Sequence, residues 1–199
     1  MESLIELVRK MKKIYLIHGW GGSDSNEGWF GWLKKELKKR NIEIVSFNMP
    51  NTDYPKIKEW VGFLEKNIKN KDLDKETYFI GHSIGCQTIL RFLEKLPKET
   101  KVGGSIFIAG WFNLKEASYE QEEEREIAKP WIQIPINLEK VKTHTKNFLA
   151  VFSDNDPCVP LSDSKIFKEK LNAKIVIKNN EEHFNETQEI KEIIDFIEK

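Results

Sequence analysis

Cysteine is scarce in this chain: Cys86 and Cys158 are the two among 199 residues. Two thiols build no disulfide framework, and their separation matches no zinc-ligand spacing. Both read as reduced thiols of a cytoplasmic protein, and neither metal nor other cofactor is expected. Histidine is nearly as rare, with His18, His82, His144 and His183. Net charge is missing altogether, because 32 basic residues balance 32 acidic ones. No overall field then draws the chain to nucleic acid or to an anionic membrane. The lysines between residues 34 and 40 share their helix with Glu36 and read as a solvated face. No apolar run approaches the ~18–20 residues that a membrane span needs. Residues 1–13 scatter Glu2, Glu6, Arg9 and Lys10 among their apolar positions, which argues against a signal peptide. Internal repeats and low-complexity linkers are also lacking.

What is present is a globular composition, 39% hydrophobic and 32% charged, on a length that suits one domain over 1–199. Short apolar runs alternate with helical patterns. Residues 14–17, 42–47, 77–80, 105–109, 148–152 and 174–177 read as strands. Residues 29–39, 57–68, 86–96, 161–171 and 188–198 carry apolar side chains at helical spacing. Strand following helix in this way predicts an α/β fold with a mostly parallel sheet of about six strands, covered on both faces. Ligands of such a sheet bind beyond the carboxyl ends of its strands. Residues 111–143 break the rhythm. Two readings stand for them: a small cap over the site, or a surface excursion carrying a solvated acidic helix.

Between the third strand and its helix stands Gly81-His82-Ser83-Ile84-Gly85. A G-x-S-x-G run in a strand–turn–helix context is the nucleophile elbow of the α/β-hydrolases. The turn exposes the serine hydroxyl, and a larger residue two positions before or after it would crowd neighbouring backbone. An elbow serine needs a base and an orienting carboxylate, in the chain order Ser, Asp or Glu, His. His18 and His82 come too early. His144 precedes a strand and so sits at the wrong end of the sheet. His183 follows the sixth strand and precedes the last helix, where the base belongs. After the fifth strand Asp154 and Asp156 compete. Asp156 is favoured because the residues after it, Pro157, Val159 and Pro160, resemble the D-x-x-V-P arrangement that α/β-hydrolases often show at this carboxylate, with Asp154 left to satisfy turn backbone groups. The candidate catalytic set is Ser83, Asp156 and His183. An oxyanion needs two donors, and the N–H groups of Ile84 and Trp20 are the candidates, Trp20 lying in the loop His18-Gly19-Trp20-Gly21-Gly22. Trp20, Trp111 and Phe112 are candidates to line an acyl pocket, with core filling as the alternative. Cys86, on the elbow helix, reads as a small core residue, and nothing supports a redox role for Cys158.

These motifs together resemble the small serine hydrolases related to retinoblastoma-binding serine hydrolase. The likeness runs from about Lys12 to the C-terminus. Beside the runs above it includes Gly28-Trp29-Phe30, Met49-Pro50 with Pro55 and Trp60, Pro135-Ile136-Asn137 with Val141, and His183-Phe184. The resemblance implies an α/β-hydrolase fold with little or no lid, acting on small esters or amides. It also implies that a protein partner can be part of the biology. One position departs from the pattern: many relatives have glycine before the histidine, where this chain has Glu181-Glu182.

Two functions of different class follow. One is a serine esterase, with thioester or amide cleavage as variants, working through an acyl-enzyme. The other is a binding or regulatory module on a hydrolase scaffold with incidental activity. The complete Ser83, Asp156 and His183 set favours the enzyme.

Overall fold

The computed structural model describes residues 11–24 and 28–199, so the N-terminal charges that argue against a signal peptide lie outside the described residues. Six strands form one sheet: β1 (Lys13–Ile17), β2 (Glu43–Phe47), β3 (Thr77–His82), β4 (Gly104–Ile108), β5 (Phe148–Ser153) and β6 (Lys174–Lys178). Their order is β2-β1-β3-β4-β5-β6, and every pairing is parallel. The helices are α1 (Gly28–Lys39), α2 (Ile57–Asn67), α3 (Ile84–Lys95), α4 (Glu122–Gln133), α5 (Leu138–Val141), α6 (Asp163–Leu171) and α7 (Lys191–Ile197).

Successive strand residues point to opposite faces, so each apolar run feeds two cores. On one face Ile14, Leu16, Ile80, Ile106 and Val151 meet Trp29, Leu33 and Leu37 of α1 and Ile193 and Ile197 of α7. On the other, Ile17, Phe79, Phe107 and Phe152 meet Trp60 and Leu64 of α2, Ile89 and Leu93 of α3, and Phe167 of α6. Strand order reverses at β1, which has β2 on one side and β3 on the other. The crevice at such a reversal, beyond the carboxyl ends of β1 and β3, is where α/β sheets hold ligands.

Residues 111–143 contain α4 and α5 and are docked to the body at several points. A capping box between Gln121 and Glu124 starts α4. Its far end is held by the buried Arg91, which donates to the Trp131 and Ile134 carbonyls at 2.9 and 2.7 Å. Helix-end carbonyls have no partner inside the helix, so the guanidinium satisfies groups that burial would otherwise strand. The Trp131 indole donates to the Pro55 carbonyl at 3.0 Å. Where the segment leaves β4, the carboxylate of Asp163 accepts from the backbone N–H groups of Phe112 and Asn113 at 2.6 and 2.8 Å. No described helix is long and apolar enough to cross a membrane.

Candidate active site

Ser83 occupies the step from β3 into α3 with φ 53° and ψ −121°. A non-glycine residue held there costs of order 1–3 kcal/mol, which the surroundings must impose. They do so by close packing. A Cβ on Gly81 would stand 2.7 Å from the Cys86 nitrogen, and one on Gly85 would stand 2.4 Å from the Ile17 carbonyl oxygen. The elbow therefore lies directly against the end of β1. Ile84 opens α3, so its N–H is among those with no carbonyl one turn back.

His183 is delivered by the loop between β6 and α7, and Asp156 by the loop after β5. His183 Nδ1 and Asp156 Oδ2 are 2.9 Å apart. The other carboxylate oxygen of Asp156 accepts from the backbone N–H groups of Cys158 and Val159 at 2.8 and 2.9 Å. Burial of Asp156 works against its charge, but the His183 contact and the two backbone donors prevail and hold its pKa below the usual carboxylate value. Asp154 accepts from the Asn180 N–H at 2.9 Å, as a turn-bracing residue does. The neighbouring Asn155 Oδ1 accepts from Ser153 Oγ and from the Glu182 N–H, tying the two loops together. Glu182 has φ 48°, a left-handed conformation that glycine adopts more readily than glutamate.

Ser83, His183, Trp20 and Trp111 line one cleft of about 600 Å³. Among the described residues, the Ser83 hydroxyl accepts a long hydrogen bond from Trp111 Nε1 at 3.4 Å and makes none to the His183 ring. The first part of the 111–143 segment walls the cleft through Leu114, Ser118 and Tyr119. Phe112 is not among the lining residues; its ring packs against Phe167, with centroids 5.1 Å apart. Gly21 and Gly22 donate to the Thr52 and Gly19 carbonyls, and the Trp20 N–H enters neither of these turn bonds.

The other histidines have structural work. His18 is buried; its Nε2 accepts from the Met49 N–H at 3.0 Å and its Nδ1 therefore carries the proton given to the Gly19 carbonyl at 2.7 Å. Burial lowers its pKa, so the ring stays neutral and braces the glycine loop. His144 is buried beside the start of β5 and bonds the Thr100 carbonyl, away from the cleft. Cys86 is buried in the core, donates to the Gly81 and Ile108 carbonyls, and has its thiol pKa pushed up by burial.

His82 is the residue that sequence reasoning passed over. A carbonyl can only accept, so its Nε2 donates to the His183 carbonyl, at 2.8 Å. The two imidazole centroids are 5.1 Å apart. Burial first, and then the charge of His183, push the His82 pKa down to about 3. Unfolded, the ring has its ordinary value of 6.5. As pH falls from 6.5 towards 3, the unfolded chain takes up a proton that the folded chain refuses, so folding stability is lost on the acid side. By pH 4 the loss reaches about 3 kcal/mol, and His82→Gln is expected to flatten that limb of the stability profile. Urea unfolding at pH 7 and pH 4 measures it. Asp156 adds a loss of the same sign only at lower pH, since its carboxyl protonates below the usual range.

The matched model described as "Serine hydrolase" spans residues 14–193. YdeN of Bacillus subtilis (strain 168) is 30% identical over 177 residues, covering 89% of this chain and 88% of its own. Serine hydrolase RBBP9 of Rattus norvegicus is 26% identical over 178 residues, covering 88% and 89%. The crystal structure of the ydeN gene product superposes with a TM-score of 0.83 at 28% identity, over 95% of this chain and all of that one. The Pyrococcus furiosus esterase Pf2001 shares the fold, with a TM-score of 0.65 at 18% identity over 94% of this chain and 80% of its own. With an all-parallel sheet of the α/β-hydrolase type and a family match running nearly end to end, the chain belongs to the serine hydrolase family and is a serine hydrolase enzyme.

Proposed function

We propose that the chain hydrolyses small carboxylic esters, with thioesters and amides as related substrates, through an acyl-enzyme on Ser83. The observation that carries this reading is the 2.9 Å contact of His183 Nδ1 with a buried, ionised Asp156, in the cleft that the Ser83 hydroxyl also lines. Asp156 fixes the proton on Nδ1, which leaves Nε2 free to accept. Ser83 swings from its weak bond to Trp111, passes its proton to Nε2 and attacks the carbonyl carbon. The N–H groups of Ile84 and Trp20 receive the oxyanion. His183 then protonates the leaving group, and water activated by the same ring releases the acid. Trp20 and Trp111 bound the acyl site. The protein works as a single domain, without a cofactor.

Labelling with a fluorophosphonate probe at pH 8, read by intact mass, tests the reading. One adduct on wild type and none on Ser83→Ala supports it. No adduct on wild type favours a binding module on a hydrolase scaffold. Asp156→Asn keeps the shape but offers Nδ1 a donor in place of an acceptor, so the ring takes the wrong tautomer. A fall of about 10⁴ in kcat for p-nitrophenyl acetate, with KM little changed, is expected.

A further inference from the structure

Cys158 lines the same cleft as His183, half-buried, and its backbone N–H already binds Asp156. One ligand atom each from Asp156, Cys158 and His183 lies within 4.8 Å of the other two. A carboxylate oxygen, a thiol sulfur and an imidazole nitrogen, converging from one buried and two part-buried residues, are the donors that zinc and its soft congeners take. We propose that this corner is an inhibitory site for a soft divalent cation of the zinc class, held by Cys158 Sγ, His183 Nδ1 and Asp156 Oδ2.

The geometry is close to what the ion requires. Tetrahedral zinc with bonds of 2.0–2.3 Å sets its ligand atoms roughly 3.3–3.6 Å apart. The Asp156–His183 contact has to open by a few tenths of an ångström from 2.9 Å, and an atom standing at the 4.8 Å limit has to close by about 1.2 Å. The fourth position faces the cleft and takes water. The ion replaces the proton that Asp156 and His183 share. That proton moves from Nδ1 to Nε2, so the ring stays neutral, and the Cys158 proton leaves to solvent as the thiolate binds. Nothing is oxidised or reduced. Lys115 Nζ, bonded to the Asp156 carbonyl, opposes a cation, but the carboxylate and thiolate supply two negative charges against it. With Nε2 protonated, the imidazole cannot accept from Ser83, and hydrolysis stops. Oxygen-preferring magnesium and calcium have no reason to choose this donor set.

The silencing half rests on the proposed role of His183; the binding half does not. Chelator-treated protein is titrated with zinc chloride during p-nitrophenyl acetate hydrolysis, and separately with cobalt chloride while the thiolate-to-cobalt charge-transfer absorbance is followed. Wild type is expected to lose at least nine-tenths of its rate, regained on adding EDTA, and to develop the cobalt band. Cys158→Ala and Cys158→Ser, each referred to its own metal-free rate, need at least tenfold more zinc and give no band. Ser83→Ala shows the band at wild-type affinity. A wild type without the band, or an unchanged zinc midpoint in both Cys158 variants, overturns the site. A band with undiminished hydrolysis overturns the silencing alone. A band on a wild type that never hydrolyses the ester leaves the site standing and removes the esterase reading instead.

Discussion

Ser83→Ala is expected to lower kcat for p-nitrophenyl esters by about 10⁵–10⁶, with KM nearly unchanged. Removing the hydroxyl takes away the atom that would bond to the acyl carbon, so the whole covalent route closes. What would remain is binding and the proposed oxyanion donors, which act on water far less effectively. The residues of such a set act as a unit. Adding His183→Ala to Ser83→Ala should therefore cost almost nothing more, whereas independent contributions would multiply. Rates of the two single variants and the double variant, measured on one ester, decide the matter. A Ser83→Ala protein that retains a tenth of wild-type activity would show that the cleft's chemistry runs through some other group. A panel of esters of increasing acyl length, measured alongside, reads the depth of the pocket bounded by Trp20 and Trp111.

Gly85→Ala is expected to be among the most damaging single-methyl additions at the described glycines. Its Cβ would lie 2.4 Å from the Ile17 oxygen and 2.6 Å from the His18 oxygen. Both are backbone atoms at the end of β1, a central strand, and neither can rotate away. The alternative is to push α3 off the sheet, which moves Ser83 and separates the Ile84 N–H from the Trp20 loop. Overpacking typically costs about 1–3 kcal/mol, and a clash with fixed backbone falls at the upper end. The urea midpoint should fall accordingly, and any folded fraction should have lost most of its esterase rate. Gly62→Ala is the internal control. It lies within α2 with nothing inside 4 Å of the added carbon. There the substitution should raise stability by about 0.5–1 kcal/mol, since alanine is the better helix former. Equal midpoints for the two variants would remove the packing explanation of the elbow.

The six strands and the elbow were legible because their signals are local. An apolar run of five residues bounded by glycine or proline has few other uses, and strand ends came out within a residue or two. The last helix begins at Lys191, later than the apolar pattern from residue 188 suggests. The sixth begins at Asp163 rather than Leu161, because Pro160 and the turn after it come first. The steric case for the elbow glycines could also be made in advance, since it depends on the turn itself. Chain order selected His183 and narrowed the carboxylate to Asp154 or Asp156, the Pro157, Val159 and Pro160 run favoured Asp156, and the His183 and Asp156 side chains do meet.

Other features had no local signal. Asp163 stands fifty-one residues from Phe112, and nothing near either residue announces the bond between them. His82 and His18 look like motif spacers in the sequence, yet each ring fixes a backbone carbonyl in the cleft. Phe112 and Trp111 are adjacent and equally aromatic, but one ring packs on Phe167 while the other reaches Ser83. Residues 111–143 were ambiguous because an acidic amphipathic helix reads the same whether it floats or docks. Arg91 and Pro55, both distant in the chain, hold it down.

The sequence by itself determined the alternation of strand and helix, the strained serine turn and the chain order of its candidate partners. Each is set by sterics and periodicity within a few residues. Only the tertiary structure decided which nitrogen of each histidine is occupied, which aromatic faces the cleft and that Cys158 joins Asp156 and His183 at one corner. Those outcomes depend on which distant groups compete for the same donor, acceptor or space, and that competition exists only once the sheet has brought the loops together.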